Sequence, residues 1–144
     1  MGLTKWQNIL NDSSAKTIEV PSHASILKLP LIDGWEEGKV WCIFDIDPEL
    51  IQPQGILFGG YLSAVADDML GMATFTVLEN DSIFSTSDLR VQFFRPIQRE
   101  KILVTASVIN INRSSIHVEA IFRNNEGKLA AKASATQMLR KKDV

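Results

Sequence analysis

Gly59-Gly60-Tyr61-Leu62-Ser63-Ala64-Val65-Ala66-Asp67-Asp68-Met69-Leu70-Gly71-Met72-Ala73-Thr74-Phe75-Thr76-Val77-Leu78 is the stretch that decides the fold. A Gly-Gly pair opens a run that is apolar on nearly every face, the pattern of a helix buried in a core. At 3.6 residues per turn, Ser63, Asp67, Gly71 and Thr74 share one narrow polar or small seam. A carboxylate withdrawn from water needs partners, a shifted pKa or a wet cleft. Asp67 is therefore the first candidate for chemistry. Asp68 lies about 100° further round the helix; it is the second acid, expected to pair with an arginine or face solvent.

Outward from the helix, the period changes. Before it, Asp33-Gly34 through Gly38 reads as a turn leading into a strand in which Val40, Cys42, Phe44 and Ile46 alternate with Trp41, Ile43 and Asp45. Pro48 and Pro53 bracket a loop ending at Gly55. After Asn80-Asp81 the pattern is twofold to the end, predicting a run of antiparallel strands. The first covers about 83–95, with Leu89, Val91 and Phe93 on one face, and stops at Pro96. The second, about 101–111, presents Ile102, Val104, Ala106 and Val108. Asn112-Arg113-Ser114 turns into a third with Ile116, Val118, Ala120 and Phe122, and Asn124-Asn125-Glu126-Gly127 is a hairpin signal before a fourth with Leu129, Ala131, Ala133 and Ala135. Near the N-terminus, residues 3–10 read as a short helix ended by Asn11-Asp12-Ser13-Ser14, and 21–30 as irregular.

One strand, a long buried helix and four further strands predict an α+β domain over residues 1–144, its curved antiparallel sheet wrapped around a central helix. This architecture is the hotdog fold. A long edge strand in so small a sheet needs covering, which predicts self-association as a homodimer or homotetramer.

Composition is that of an ordinary globular domain: 45% hydrophobic, 22% charged, with a formal net charge of −2 and no basic footprint for nucleic acid. The apolar helix is interrupted by two aspartates and does not read as a membrane span. One cysteine, Cys42, and the lack of a basic-then-apolar leader predict a cytoplasmic protein. His23 and His117 have no ligand spacing around them, so no metal site is expected. Cys42 reads as a small strand hydrophobe rather than a nucleophile.

Taken together, Gly55-Ile56-Leu57-Phe58-Gly59-Gly60, Asp67 seven residues after the second glycine, Thr86-Ser87-Asp88-Leu89-Arg90-Val91-Gln92-Phe93-Phe94-Arg95-Pro96 and Gly127-Lys128-Leu129-Ala130-Ala131-Lys132-Ala133 resemble the PaaI-like branch of the hotdog acyl-coenzyme A thioesterase superfamily. The resemblance spans roughly residues 35–139. It implies hydrolysis of an acyl-coenzyme A thioester, with coenzyme A present only as part of the substrate. It makes Asp67 the general base or nucleophile and puts the Gly59 N–H at the thioester carbonyl, the two meeting across a subunit boundary. It places Thr86 beside the carboxylate or the attacking water. A helix N-terminus suits an oxyanion on physical grounds as well.

Two positions depart from that family's full signature. Phe58 stands where a histidine precedes the glycine pair, and Gln52 stands where an asparagine lies six residues before that histidine; Gln52 stays a catalytic candidate, since it keeps an amide able to orient water, one methylene longer. Phe58 and Gly60 remain candidates for substrate contact, as does Asp68; Arg95 and Arg113 are candidates for coenzyme A phosphates, since a planar guanidinium suits phosphate. The departures keep open an alternative, a noncatalytic hotdog protein that binds an acyl thioester or another apolar ligand.

Overall fold

The computed structural model describes residues 2–142. Its elements are α1 (Lys5–Ser14), α2 (Ser22–Ile26), β1 (Gly34–Glu36), β2 (Lys39–Asp45), a 3-10 turn (Pro48–Leu50), α3 (Gly59–Phe75), β3 (Ser82–Phe93), β4 (Lys101–Ile111), β5 (Ser115–Arg123) and β6 (Leu129–Lys141). The six strands form one antiparallel sheet in the order β1-β2-β4-β5-β6-β3, and α3 packs against it. This is the hotdog architecture.

Twofold alternation builds the sheet's inner face. Ile102, Val104 and Ala106 of β4 and Ile116, Val118, Ala120 and Phe122 of β5 are at most 2% exposed. From β6 come Ala131, Ala133 and Ala135, small enough for α3 to approach closely. The helix answers with Leu62, Val65, Ala66, Met69, Leu70 and Ala73, all buried. Each large side chain contributes about 1.5–3 kcal/mol of burial. Cys42 is among them: burial pushes its thiol up to about 12, which leaves it a packing residue.

Both ends of α3 have local causes. Phe58 precedes it in an extended conformation (φ −61°, ψ 118°), and no side chain caps the N-terminus. At the other end Thr76 closes the last turn: its hydroxyl donates to the Ala73 carbonyl at 2.7 Å and accepts from the Gly38 N–H at 2.8 Å. That second bond ties the helix end to the β1–β2 turn, where Gly38 has φ +87°.

Four expectations are corrected. The first helix does not stop at Asn11; a capping box between Thr4 and Gln7 starts it, and it runs through the polar cluster to Ser14. Ser13 is buried there and accepts from the Ile32 N–H at 3.2 Å, so a tertiary contact outweighs a poor helix former. The segment read as irregular contains α2. Gly34–Glu36 is a strand paired with β2 rather than a turn. Strand β3 ends at Phe93, because the Phe94 and Arg95 N–H groups both turn to the Ala130 carbonyl, at 2.8 and 3.1 Å.

Strand β3 forms one end of the sheet and, among the described residues, pairs only with β6. Its Leu89 and Phe93, expected on one face, are 37% and 52% exposed. No helix among the described residues is long and apolar enough to cross a membrane.

Candidate active site

Asp67 projects from the middle of α3 toward β3 rather than into the core. The carboxylate is exposed at the surface of the protomer, contrary to the expectation of a buried acid. Its Oδ1 accepts a hydrogen bond from the Thr86 hydroxyl at 3.0 Å. Thr86 stands just before a bulge in β3, between Thr86 and Asp88, and lies opposite Gln137 of β6. The Thr86 Oγ1 is also 2.8 Å from the side-chain amide of Gln137.

Behind this pair opens a cavity of about 350 Å3. Its floor is Asp67, Asp68, Gly71 and Thr86 with the rings of Phe75 and Phe84, and its roof is the N-terminal segment, including Ile18, Val20 and Leu31. Asp68 pairs with no arginine and makes no hydrogen bond or ion pair among the described residues. It is half-buried in this apolar cavity, and burial pushes its carboxyl up to about 6, opposed by the charge of His23 and reinforced by that of Asp67. His23, read as lying in an irregular segment, is carried by α2 to the same cavity.

A second cavity, also of about 350 Å3, lies at the start of α3. Gly59, Gln52, Phe93, Phe94 and Arg95 line it. The Gln52 Nε2 donates to the Leu57 carbonyl at 3.3 Å, within the loop whose Gly55 has φ +89°. Arg95 donates through Nη1 to the Leu129 carbonyl at 2.7 Å, so its place beside the cavity is fixed by backbone. Both glycines are filled out by rings. A Cβ on Gly59 would come within 3.2 Å of the Phe93 ring, and one on Gly60 within 2.6 Å of the Phe58 ring. Phe58 itself is 56% exposed.

The candidate residues therefore fall into two groups in one chain. Asp67, Asp68 and Thr86 lie at one cavity; Gly59, Gln52 and Arg95 lie at the other, with Phe58 packed over Gly60. Arg113 joins neither, since it sits at the β4–β5 turn beside Ile116 and Leu139. Gly59 and Asp67 are eight residues apart on one helix, about 12 Å along its axis. No single carbonyl reaches both within one protomer. Gln137 was missed from the sequence, although it interrupts the Ala131, Ala133, Ala135 alternation on the buried face of β6 and is wholly buried.

The model of the thioesterase superfamily matches residues 54–131, from the loop before α3 into β6. Among curated proteins, one from Saccharolobus solfataricus, provisionally named an esterase, is 29% identical over 68% of this chain and 69% of its own length. Among solved structures, a phenylacetic acid degradation-related protein of Ralstonia eutropha JMP134 is 27% identical, covers 91% of this chain and 99% of its own, and superposes with a TM-score of 0.79. A Streptococcus mutans UA159 protein, solved bound to acetyl CoA, shares the fold at a TM-score of 0.71 with 17% identity over 78% of this chain and 90% of its own.

Proposed function

The chain belongs to the thioesterase superfamily, and on that premise we propose that it hydrolyses an acyl-coenzyme A thioester to the free acid and coenzyme A, in a homodimer whose sites each draw on both copies. One observation carries the reading: the acid with its hydroxyl partner and the uncapped helix amide lie at different levels of α3, too far apart to act together in one chain. The free edge of β3 supplies the remedy. Phe93 touches the Gly59 level and Thr86 the Asp67 level, so α3 and β3 run antiparallel. Twofold pairing of two β3 edges about Leu89 and Arg90 sets Thr86 of one copy opposite Phe93 of the other, and Asp67 comes level with the partner's Gly59. The exposed Leu89 and Phe93 side chains are then covered.

In that arrangement Asp67 acts as a general base. A water oxygen adds to the thioester carbonyl carbon while its proton passes to the Asp67 carboxylate, and the carbonyl oxygen becomes an oxyanion held by the Gly59 N–H. Collapse of the tetrahedral intermediate expels coenzyme A as the thiolate, which takes up the proton. Direct attack by the Asp67 carboxylate, with water cleaving the resulting anhydride, uses the same groups. Thr86 orients the carboxylate and Gln52 shapes the polar end of the helix-start cavity. The donors of Arg95 not used on Leu129 are available to a phosphate. Phe58 supplies no polar contact; it and Gly60 set the width of the entry. The acyl group occupies the apolar cavity beside Asp68. The acetyl CoA held by the Streptococcus mutans protein supports coenzyme A as the carrier.

The test is thiol release from acetyl-, octanoyl- and benzoyl-coenzyme A by the wild type and Asp67→Asn. The variant is expected to lose on the order of 10²–10⁴ in kcat, the usual contribution of a positioned base. Equal turnover by the two removes Asp67 from the mechanism.

A further inference from the structure

The contact between Thr86 and Gln137 places a third residue in line with the acid. Gln137 lies on β6 directly across from Thr86, its side chain is 0% exposed, and the end of its amide turned away from Thr86 has no hydrogen-bond partner among the described residues. A buried amide with an unpartnered end costs free energy, so packing alone is a poor reason for a glutamine where Ala131, Ala133 and Ala135 precede it on the same face. The other end of the amide lies 2.8 Å from the Thr86 hydroxyl oxygen, and that hydroxyl lies 3.0 Å from Asp67 Oδ1.

A threonine hydroxyl has one proton to give, and the charged Asp67 carboxylate is the acceptor that takes it. The Thr86 oxygen is then left to accept, and the amide end that faces it at 2.8 Å is satisfied as an N–H donor. That bond holds the Thr86 oxygen and aims its proton at Asp67 Oδ1. We propose that Gln137 is a positioning residue of the hydrolytic reaction, acting through Thr86 as the donor that keeps its hydroxyl turned toward the Asp67 carboxylate. No bond to carbon forms or breaks through Gln137. The inference rests on the reading of Asp67 as the base.

The experiment compares wild type, Asp67→Asn, Thr86→Val, Gln137→Met and the double variant Thr86→Val/Gln137→Met, using whichever of acetyl-, octanoyl- and benzoyl-coenzyme A the wild type hydrolyses. Methionine keeps the length and bulk of the side chain and removes the amide. Gln137→Met is expected to lower kcat about tenfold, the worth of one neutral hydrogen bond, with KM within about twofold and a melting temperature close to wild type, since the buried amide and its hydrogen bond are removed together. Thr86→Ser, which keeps the hydroxyl, is expected to lose less kcat than Thr86→Val. The double variant is expected to be no slower than Thr86→Val alone, because Gln137 acts only through that hydroxyl. Losses that multiply, or a Gln137→Met enzyme at wild-type kcat, overturn the inference while leaving Asp67 in place. No thiol release by the wild type, or full activity in Asp67→Asn, overturns the reading beneath it. If Gln137→Met does not fold, Gln137→Asn withdraws the amide by one methylene and decides between the same outcomes.

Discussion

At the scale of single residues, adjacent acids on α3 have opposite environments. Asp67 reaches the surface beside Thr86, whereas Asp68 is set into an apolar cavity that drives its carboxyl from the ordinary 3.8 to about 6. Between those two values the folded chain binds more protons than the unfolded one, so this group's contribution favours folding below about pH 4 and is lost as pH rises to about 6. Asp68→Asn removes the ionisable group. Urea unfolding is expected to show the variant more stable than wild type by about 3 kcal/mol at pH 8, with the difference vanishing near pH 3. A constant difference across that range would mean Asp68 carries no burial penalty. The sequence marked both acids as notable and ranked Asp67 first by its helical angle and by the family resemblance. That angle says which side chains share a seam; it does not say that the N-terminal segment covers Asp68 and leaves Asp67 clear.

Among the elements, the start of α3 permits a test that spares the fold. Gly59 is the first helical residue, a position where proline is favoured because the N–H it removes makes no helical bond. Phe58 already has the extended conformation required of a residue before proline, with φ −61° and ψ 118°. Gly59→Pro therefore deletes one amide proton at the cost of a small displacement of the Phe93 ring, which a Cβ would approach to 3.2 Å. The expected result is a loss of about 10²–10³ in kcat, typical for one oxyanion donor, with far-UV circular dichroism unchanged. Gly59→Ala keeps the N–H and is expected to lose much less. If the two variants are equally slow, the loss comes from crowding and the amide is not the donor. Helix α3 was legible in sequence because its continuous apolar run and its bounding glycines and Asn80-Asp81 are local signals. The extra turn of α1 was not, since Ser13 is held by a bond to Ile32.

For the molecule as a whole, the division of the proposed site between two copies makes a quantitative prediction. Each Asp67→Asn homodimer has two sites without base, and each Gly59→Pro homodimer has two sites without donor. When the two variants are unfolded and refolded together, half the dimers formed are mixed, and each mixed dimer holds one intact site built from the good half of each copy. Activity is expected to return to about one quarter of the wild-type value. A site contained within one chain leaves the mixture as inactive as its components. Size-exclusion chromatography with light scattering is expected to find no monomer at micromolar concentration, and Leu89→Arg on the β3 edge to produce it.

The sequence by itself determined the hotdog architecture and the strand faces of β4, β5 and β6, and its resemblance to a thioesterase family marked Gly59, Asp67 and Thr86 as candidates. The architecture and the faces follow from periodicity and order along the chain, which are local properties. Only the tertiary structure decided that Asp68 is the covered acid, that Gln137 stands behind Thr86, and that the Gly59 and Asp67 levels belong to separate cavities. Those facts depend on which segments lie across one another in space, such as the N-terminal roof over α3 and the register of β6 against β3, and the distance between neighbours in a fold is not encoded in their spacing along the chain.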